Sequence, residues 1–261
     1  MGSLTGLGGG IVIVPLLTVG FGVDIRYAIG ASLVAIIAVS SGSAASYVKQ
    51  GYTNIRVGML LEVGTVLGAL VGAGLVSHIP GRVLQVGFGV VLIYSVFLTL
   101  REARRATSAA ESGPADPLAT RLRLDSTFPA DDGGSVAYRV RHIPGALAVM
   151  AVAGVISSLL GIGSGAIKVL AMDQLMRLPF KVSTTTSNFM IGVTAAASSG
   201  IYLHRGYVDV RIAAPVMLGA LLGSTVGARL LTRLGSKTLR LIFAAVVLVL
   251  GLTMIGKGLG L

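Results

Sequence analysis

The chain has 261 residues, 54% of them hydrophobic and 12% charged, with a mean hydropathy of +0.87. Soluble domains carry about a quarter charged residues, so these charges are too few to cover a water-soluble protein of this size, and lipid must cover the remainder. The formal net charge of +11 sits mainly in short loops beside apolar runs, which fits topology-setting charges rather than a nucleic-acid surface; the lack of Cys excludes disulfides and thiolate metal sites, and three His without a paired His–Glu motif argue against zinc.

Taken in order, Met1-Gly2-Ser3-Leu4 has no basic stretch ahead of an apolar run, so no cleaved leader is expected. Crossing a hydrocarbon core takes about 20 apolar residues. Runs of this kind are predicted at 4–20, 27–48, 57–77 and 83–100, and again at 144–175, 183–203, 212–231 and 238–256. The run 144–175 is too long for one straight span and contains Gly161-Ile162-Gly163-Ser164-Gly165, which predicts a broken helix or a re-entrant half-helix. Between the two sets lies a polar segment, 101–143. It holds Arg101, Arg104, Arg105, Arg121, Arg123, Arg139 and Arg141 among acidic residues, with Pro114, Pro117 and Gly133-Gly134 as helix breakers. Basic residues at both of its ends place it in the cytoplasm, and it is expected to be a mobile linker without a folded domain.

The halves 1–100 and 144–261 match at a constant offset of 155 residues. Gly6, Gly8 and Gly10 fall on Gly161, Gly163 and Gly165, Ser32 on Ser187, Tyr47 on Tyr202, and Gly51-Tyr52 on Gly206-Tyr207. Gly64, Gly68 and Gly72 fall on Gly219, Gly223 and Gly227. This is an internal duplication, the usual plan of secondary transporters, whose sites lie between repeats. The apolar segment 144–156 has no partner in the first half; its partner would precede Met1, so the chain is expected to be short at its N-terminus, the alternative being a first repeat that lacks this half-helix. Basic residues are sparse in the third connection of the first half (His78, Arg82) and dense in the second (Arg229, Arg233, Lys237, Arg240). That contrast favours inverted repeats, although the second connection shows none. The expected fold is an all-α integral membrane protein, a polytopic helical bundle of two homologous repeats with Gly-broken half-helices and about seven or eight membrane segments.

Three motifs are candidates for function. Gly6-Leu7-Gly8-Gly9-Gly10, with its second copy, is too glycine-rich to continue a helix. Backbone opened at membrane depth must line a cavity or be buried in protein, and a half-helix starting there offers N–H donors to an anion; close helix packing without a ligand is the alternative. Next, Ser32 and the run Ser183-Thr184-Thr185-Thr186-Ser187-Asn188 supply hydroxyls and an amide for a small oxyanion, unless they bond back to their own helix carbonyls. Ser32 and Ser187, at matched positions, are the better candidates, with Asn188 beside them. Lys168, inside an apolar stretch, is suited to neutralise an anion; snorkelling to the headgroups or pairing with Asp173 are its alternatives. Glu62 is open to proton coupling or to a position near the cytoplasmic end. The Gly64-xxx-Gly68-xxx-Gly72 spacing lets helix backbones approach closely, and such faces also permit a homodimer.

An enzyme is not expected. Ile162 stands where an intramembrane serine protease motif needs Gly, Ser164 and Lys168 are four rather than three apart, and no Walker sequence binds ATP. No cofactor is expected.

The set Gly6-Leu7-Gly8-Gly9-Gly10 with Pro15, Ala28-Ile29-Gly30-Ala31-Ser32, Gly51-Tyr52 and Gly64-xxx-Gly68-xxx-Gly72 resembles the sulfite exporter TauE/SafE family over nearly all of the chain except 101–143. The resemblance implies a multi-pass permease of a bacterial-type inner membrane for sulfite, sulfoacetate or related sulfonates. Together with the motifs above it implies a substrate site at Gly8, Gly9, Gly10, Ser32, Gly163, Ser164, Gly165, Lys168, Ser187 and Asn188. Ser164, where the family often has Gly, and the absent opening of the first helix depart from the pattern.

Overall fold

The computed structural model describes residues 9–102, 116–129, 134–231 and 236–260. Gly6, Gly8, Gly133 and Arg233, and the linker positions 103–115 and 130–133, lie outside them. Helix α1 (Gly10–Pro15) runs into a π-helical turn, Leu16–Gly20; α2 is Ile25–Lys49, α3 Ile55–Leu75 and α4 Gly81–Glu102. A short α5 (Pro117–Arg121) and an antiparallel hairpin of β1 (Ser126–Pro129) and β2 (Ser135–Tyr138) follow. Then come α6 (Ile143–Leu160), α7 (Gly165–Leu170) with a second π turn, Ala171–Leu175, α8 (Phe180–His204), α9 (Val210–Leu231) and α10 (Ser236–Leu259).

Within the described residues these helices cover the apolar runs read from the sequence, and the over-long run breaks at its glycines. The order α1, π turn, α2, α3, α4 recurs as α7, π turn, α8, α9, α10, which leaves α6 without a counterpart among the described residues. Pro15 removes a ladder donor just before the first π turn, but Leu170 precedes the second. The proline is therefore not the common cause of the widening.

By length and composition α2, α3 and α6 can each cross a membrane, and Gly10–Gly20, Gly81–Phe97, Val210–Ser224 and Ala244–Leu259 are shorter apolar stretches. The 25-residue α8 is not among them. Its run Ser183–Asn188 is buried against α2, α3 and α7, so protein rather than lipid surrounds its polar groups.

Glycine sets the closest helix contacts. On α3 a Cβ at Gly68 would lie 1.9 Å from the Ala151 carbonyl oxygen, and on α6 one at Gly154 would lie 2.0 Å from the Thr65 carbonyl oxygen. Helices α3 and α6 thus touch backbone to backbone, as small-residue spacing permits. Between α4 and α10, Gly89 does the same against the Gly251 carbonyl at 2.6 Å. The matching glycines of α9 behave differently, since a Cβ at Gly219 or Gly223 meets nothing within 4 Å. Two arginines close the C-terminal end of α3. Arg205 donates to the carbonyls of Ala73 (3.4 Å) and Gly74 (2.9 Å), and Arg26 to that of Ile79 (2.9 Å), which satisfies orphan acceptors and complements the helix dipole.

The second part of the linker is folded, contrary to the expectation of a mobile segment. Pro117 does not break a helix but starts α5 behind an Asp116 cap, where its missing N–H costs nothing. Ala119, Leu124, Tyr138 and Val140 are buried in one cluster with Val57 and Leu61 of α3 and Ile143 and Met150 of α6. Asn54 fixes the junction: its side-chain oxygen caps α3 by accepting from the Val57 N–H at 3.1 Å, and its amide donates to the Leu124 carbonyl at 2.9 Å and the Tyr138 hydroxyl at 2.8 Å. Scattered apolar residues in a charged segment were enough to dock it.

Candidate functional site

At the end of α6 the chain reverses through Gly161 (φ +65°), Gly163 (φ +76°) and Ser164 (φ +45°) before α7 begins at Gly165. Left-handed backbone is costless for glycine but strained for serine. The break is buried, with Ile162 and Ser164 at 4% exposure, as membrane-depth irregular backbone must be. The Ser164 hydroxyl has no hydrogen-bond partner.

The two glycine motifs meet here. A Cβ at Gly10 would lie 2.1 Å from the Gly161 carbonyl oxygen and 2.7 Å from the Ser32 hydroxyl, and Ser32 donates to that same carbonyl at 2.8 Å. Gly163 faces Ile191 of α8, whose side chain would lie 2.8 Å from an added Cβ. The equivalent serine behaves otherwise: Ser187 reaches the Gly165 carbonyl at a long 3.4 Å, within its own half.

A cavity of about 20 Å³, roughly one water in size, lies between α2 and α8 and is lined by Gly9, Ile36, Val39, Ser40, Ser43, Asn188 and Ile191. Ser40 donates to the Asn188 main-chain carbonyl, and Gly192 leaves room for this contact, since a Cβ there would lie 2.8 Å from the Ser40 oxygen. Ser40 and Ser43 were not singled out in the sequence. Their signal was present: Ser32, Ile36, Ser40 and Ser43 recur at helical spacing on one stripe of α2.

Lys168 does not snorkel, and the carboxylate it pairs with is that of Glu62. Lys168 is 0% exposed, and its Nζ donates to the Thr194 hydroxyl at 2.5 Å and lies 3.7 Å from Glu62 Oε2. Thr194 Oγ1 lies 2.5 Å from Glu62 Oε1 and 2.9 Å from the Met190 carbonyl, and its single proton serves one of them at a time. Glu62, in the first half of α3, is buried at 6% exposure, and its Oε2 has no hydrogen-bond partner. The ion pair thus joins α3 to α7 and α8.

The other hydroxyls of the α8 run bond within the helix or to the turn before α3. Thr184 bonds back to the Phe180 carbonyl at 2.9 Å, Thr185 to Lys181 at 2.9 Å and to Tyr52 at 3.0 Å, and Thr186 accepts from the Asn54 N–H at 3.1 Å. The structure therefore brings Gly9, Gly10, Ser32, Asn188 and the Gly161–Gly165 break to one seam between α1, α2, α6, α7 and α8, with Lys168 one helix face away. Among the described residues no three His, Cys, Asp or Glu side chains are grouped to hold a metal.

Comparison with known sequences agrees with a membrane protein of this kind. The sequence model described as "Sulfite exporter TauE/SafE" matches residues 1–254. The chain is 31% identical to "Probable membrane transporter protein YunE" of Bacillus subtilis (strain 168), over 99% of this chain and 94% of that protein. It is 27% identical to "Probable membrane transporter protein YjnA" of the same organism (97% and 94%) and 26% identical to a "Probable membrane transporter protein" of Xylella fastidiosa (98% and 90%). No solved structure matches.

Proposed function

We propose, from the premise that the chain belongs to the sulfite exporter TauE/SafE family and is a multi-pass membrane transporter, that it is a secondary carrier exporting a small sulfur oxyanion or organosulfonate, such as sulfite or sulfoacetate, from a bacterial-type cell across the inner membrane. Two inverted repeats, 1–100 and 144–261, joined by a cytoplasmic linker, move against each other around a site at their interface. All the helices other than α5 enter the membrane.

One observation carries this reading: the buried seam between α2 and α8, where Gly9, Ser40, Ser43 and Asn188 line a cavity and Ser32 of the first half bonds Gly161 of the second. Hydroxyls and an amide suit an oxyanion because they donate hydrogen bonds without a fixed charge to hold it permanently. The strained Ser164, with its unpartnered hydroxyl, fits a group held ready for a ligand oxygen. Gly163, Gly165 and Ser187 shape the backbone of the site, and Lys168 supplies positive charge from the adjacent face. A binding protein without transport, and an anion channel, use the same seam and are separated by flux measurements.

The test is thermal unfolding of the purified protein with sulfite, sulfate, sulfoacetate, taurine and lactate. A ligand that binds only the folded state raises its stability by mass action. Selective stabilisation by a sulfur anion, lost in Asn188→Leu, is the expected result. A folded protein that responds to none of them would overturn the substrate class.

A further inference from the structure

We propose that Glu62 is a proton-binding site that couples anion movement to protons, with Lys168 exchanging the Glu62 carboxylate for the transported anion. This rests on the carrier reading above.

The geometry shows a charge pair built for exchange rather than for packing. Lys168 and Glu62 are both buried, yet their nearest atoms stand 3.7 Å apart, beyond hydrogen-bond distance, with Thr194 bridging them at 2.5 Å on each side. Glu62 Oε2 accepts no hydrogen bond. A buried pair held only for stability needs good geometry and satisfied lone pairs, and apolar residues usually replace it without loss. This chain supplies that comparison. At the 155-residue offset Lys168, Thr194 and Glu62 fall on Ile13, Val39 and Met217. The same helix positions are apolar in the other half, so packing does not require the charges.

Among the described residues the elements packed on Glu62 carry few titratable side chains. Helix α6, packed on α3, carries no titratable side chain, and α3 itself carries only Arg56, exposed at its start. Helix α7 and its π turn carry Lys168 and Asp173; α8 carries Lys181, Tyr202 and His204 near its ends. Of these, Lys168 is the one that faces Glu62, at 3.7 Å.

The charge balance follows. The empty site holds an ammonium and a carboxylate and is neutral. When an anion takes the ammonium, the carboxylate is left buried without a counter-charge, and such a group takes up a proton rather than remain ionised. The proton comes from water on the side to which the site is open and adds to a Glu62 oxygen. The loaded site holds ammonium, anion and carboxylic acid and is again neutral for a monoanion. One proton and one negative charge then cross together, outward when the anion's outward gradient exceeds the inward proton gradient.

Two probes test this in proteoliposomes: labelled methanesulfonate, a monoanion whose charge is fixed across the pH range used, and labelled sulfoacetate. An imposed difference of about one pH unit, acid outside, drives methanesulfonate accumulation toward about tenfold for one-to-one coupling. A potassium diffusion potential leaves the rate unchanged. In Glu62→Gln, the ratio of uptake with and without the gradient falls to that of a symmetric vesicle. A variant that stays gradient-driven, or a wild-type protein that exchanges either anion without responding to pH, overturns the proposal. Wild-type protein that exchanges neither anion overturns the carrier reading, and this one with it. A second measurement needs no variant. Dicyclohexylcarbodiimide modifies protonated buried carboxyls, so mass spectrometry should find several-fold faster modification of Glu62 when methanesulfonate is added to wild-type protein. Unchanged modification in protein that exchanges the anion overturns the coupling.

Discussion

Two glycines with the same sequence context, Gly68 on α3 and Gly223 on α9, should respond oppositely to one added methyl group. In Gly68→Ala the new Cβ would lie 1.9 Å from the Ala151 carbonyl oxygen and 2.8 Å from its carbon. The obstacle is backbone, so no rotamer change relieves it. Helices α3 and α6 must separate by on the order of 1 Å, a form of overpacking that costs about 1–3 kcal/mol or more. Replacing glycine within a helix returns about 1 kcal/mol. The net loss is up to about 2 kcal/mol for Gly68→Ala. At Gly223 nothing lies within 4 Å, so only the gain remains. The two variants should differ by about 1–3 kcal/mol, or roughly 2–12 °C in melting temperature for a chain of this size. Thermal unfolding of the two purified variants in one detergent reads the difference. Equal shifts would refute the backbone-to-backbone contact of α3 with α6.

Other outcomes follow from the same geometry. Lys168→Met leaves Glu62 buried and unpaired and should cost about 3–5 kcal/mol, while adding Glu62→Gln should recover much of it; a double variant no better than the single one would show that the pair does not interact. Asn54→Ala removes the α3 cap and two donations to the linker. It should cost about 2 kcal/mol and speed proteolysis between 116 and 142, and unchanged cleavage would argue against docking by Asn54. Burial raises the Tyr138 hydroxyl above the ordinary tyrosine range. The folded state then holds that proton more tightly than the unfolded one, so the stabilisation is complete below the unfolded value and fades as pH rises through the folded one. Alkaline titration of tyrosinate absorbance should lose one late-titrating group in Tyr138→Phe.

Much of this architecture was legible in the sequence. The glycines at 161–165 specified the helix break, because no helix continues through Gly161, Gly163 and Gly165, and the apolar runs located the long helices. Lys168 was identifiable because a charge in an apolar run needs a reason. Its partner was not, since Glu62 lies in a different helix and nothing in the local pattern of either residue names the other. Ser40 and Ser43 were missed for a related reason. Helices such as α2 are apolar nearly all round, so the face that turns inward is marked only by the stripe through Ser32, Ile36, Ser40 and Ser43. The linker misled in the other direction: its charges and prolines suggested disorder, while Leu124, Tyr138 and Val140 carried the apolar contacts that fold it onto α3 and α6.

The central claim is that the seam between α2 and α8 is the path of a carried anion. Exchange of labelled sulfoacetate in proteoliposomes tests it most directly, with wild type and Ser40→Leu, which fills the cavity, compared at equal amounts of folded protein. Unlabelled sulfoacetate on the opposite side should accelerate wild-type flux, as a carrier requires, and Ser40→Leu should abolish it. Flux that ignores the opposite side, or that survives Ser40→Leu unchanged, would contradict the account.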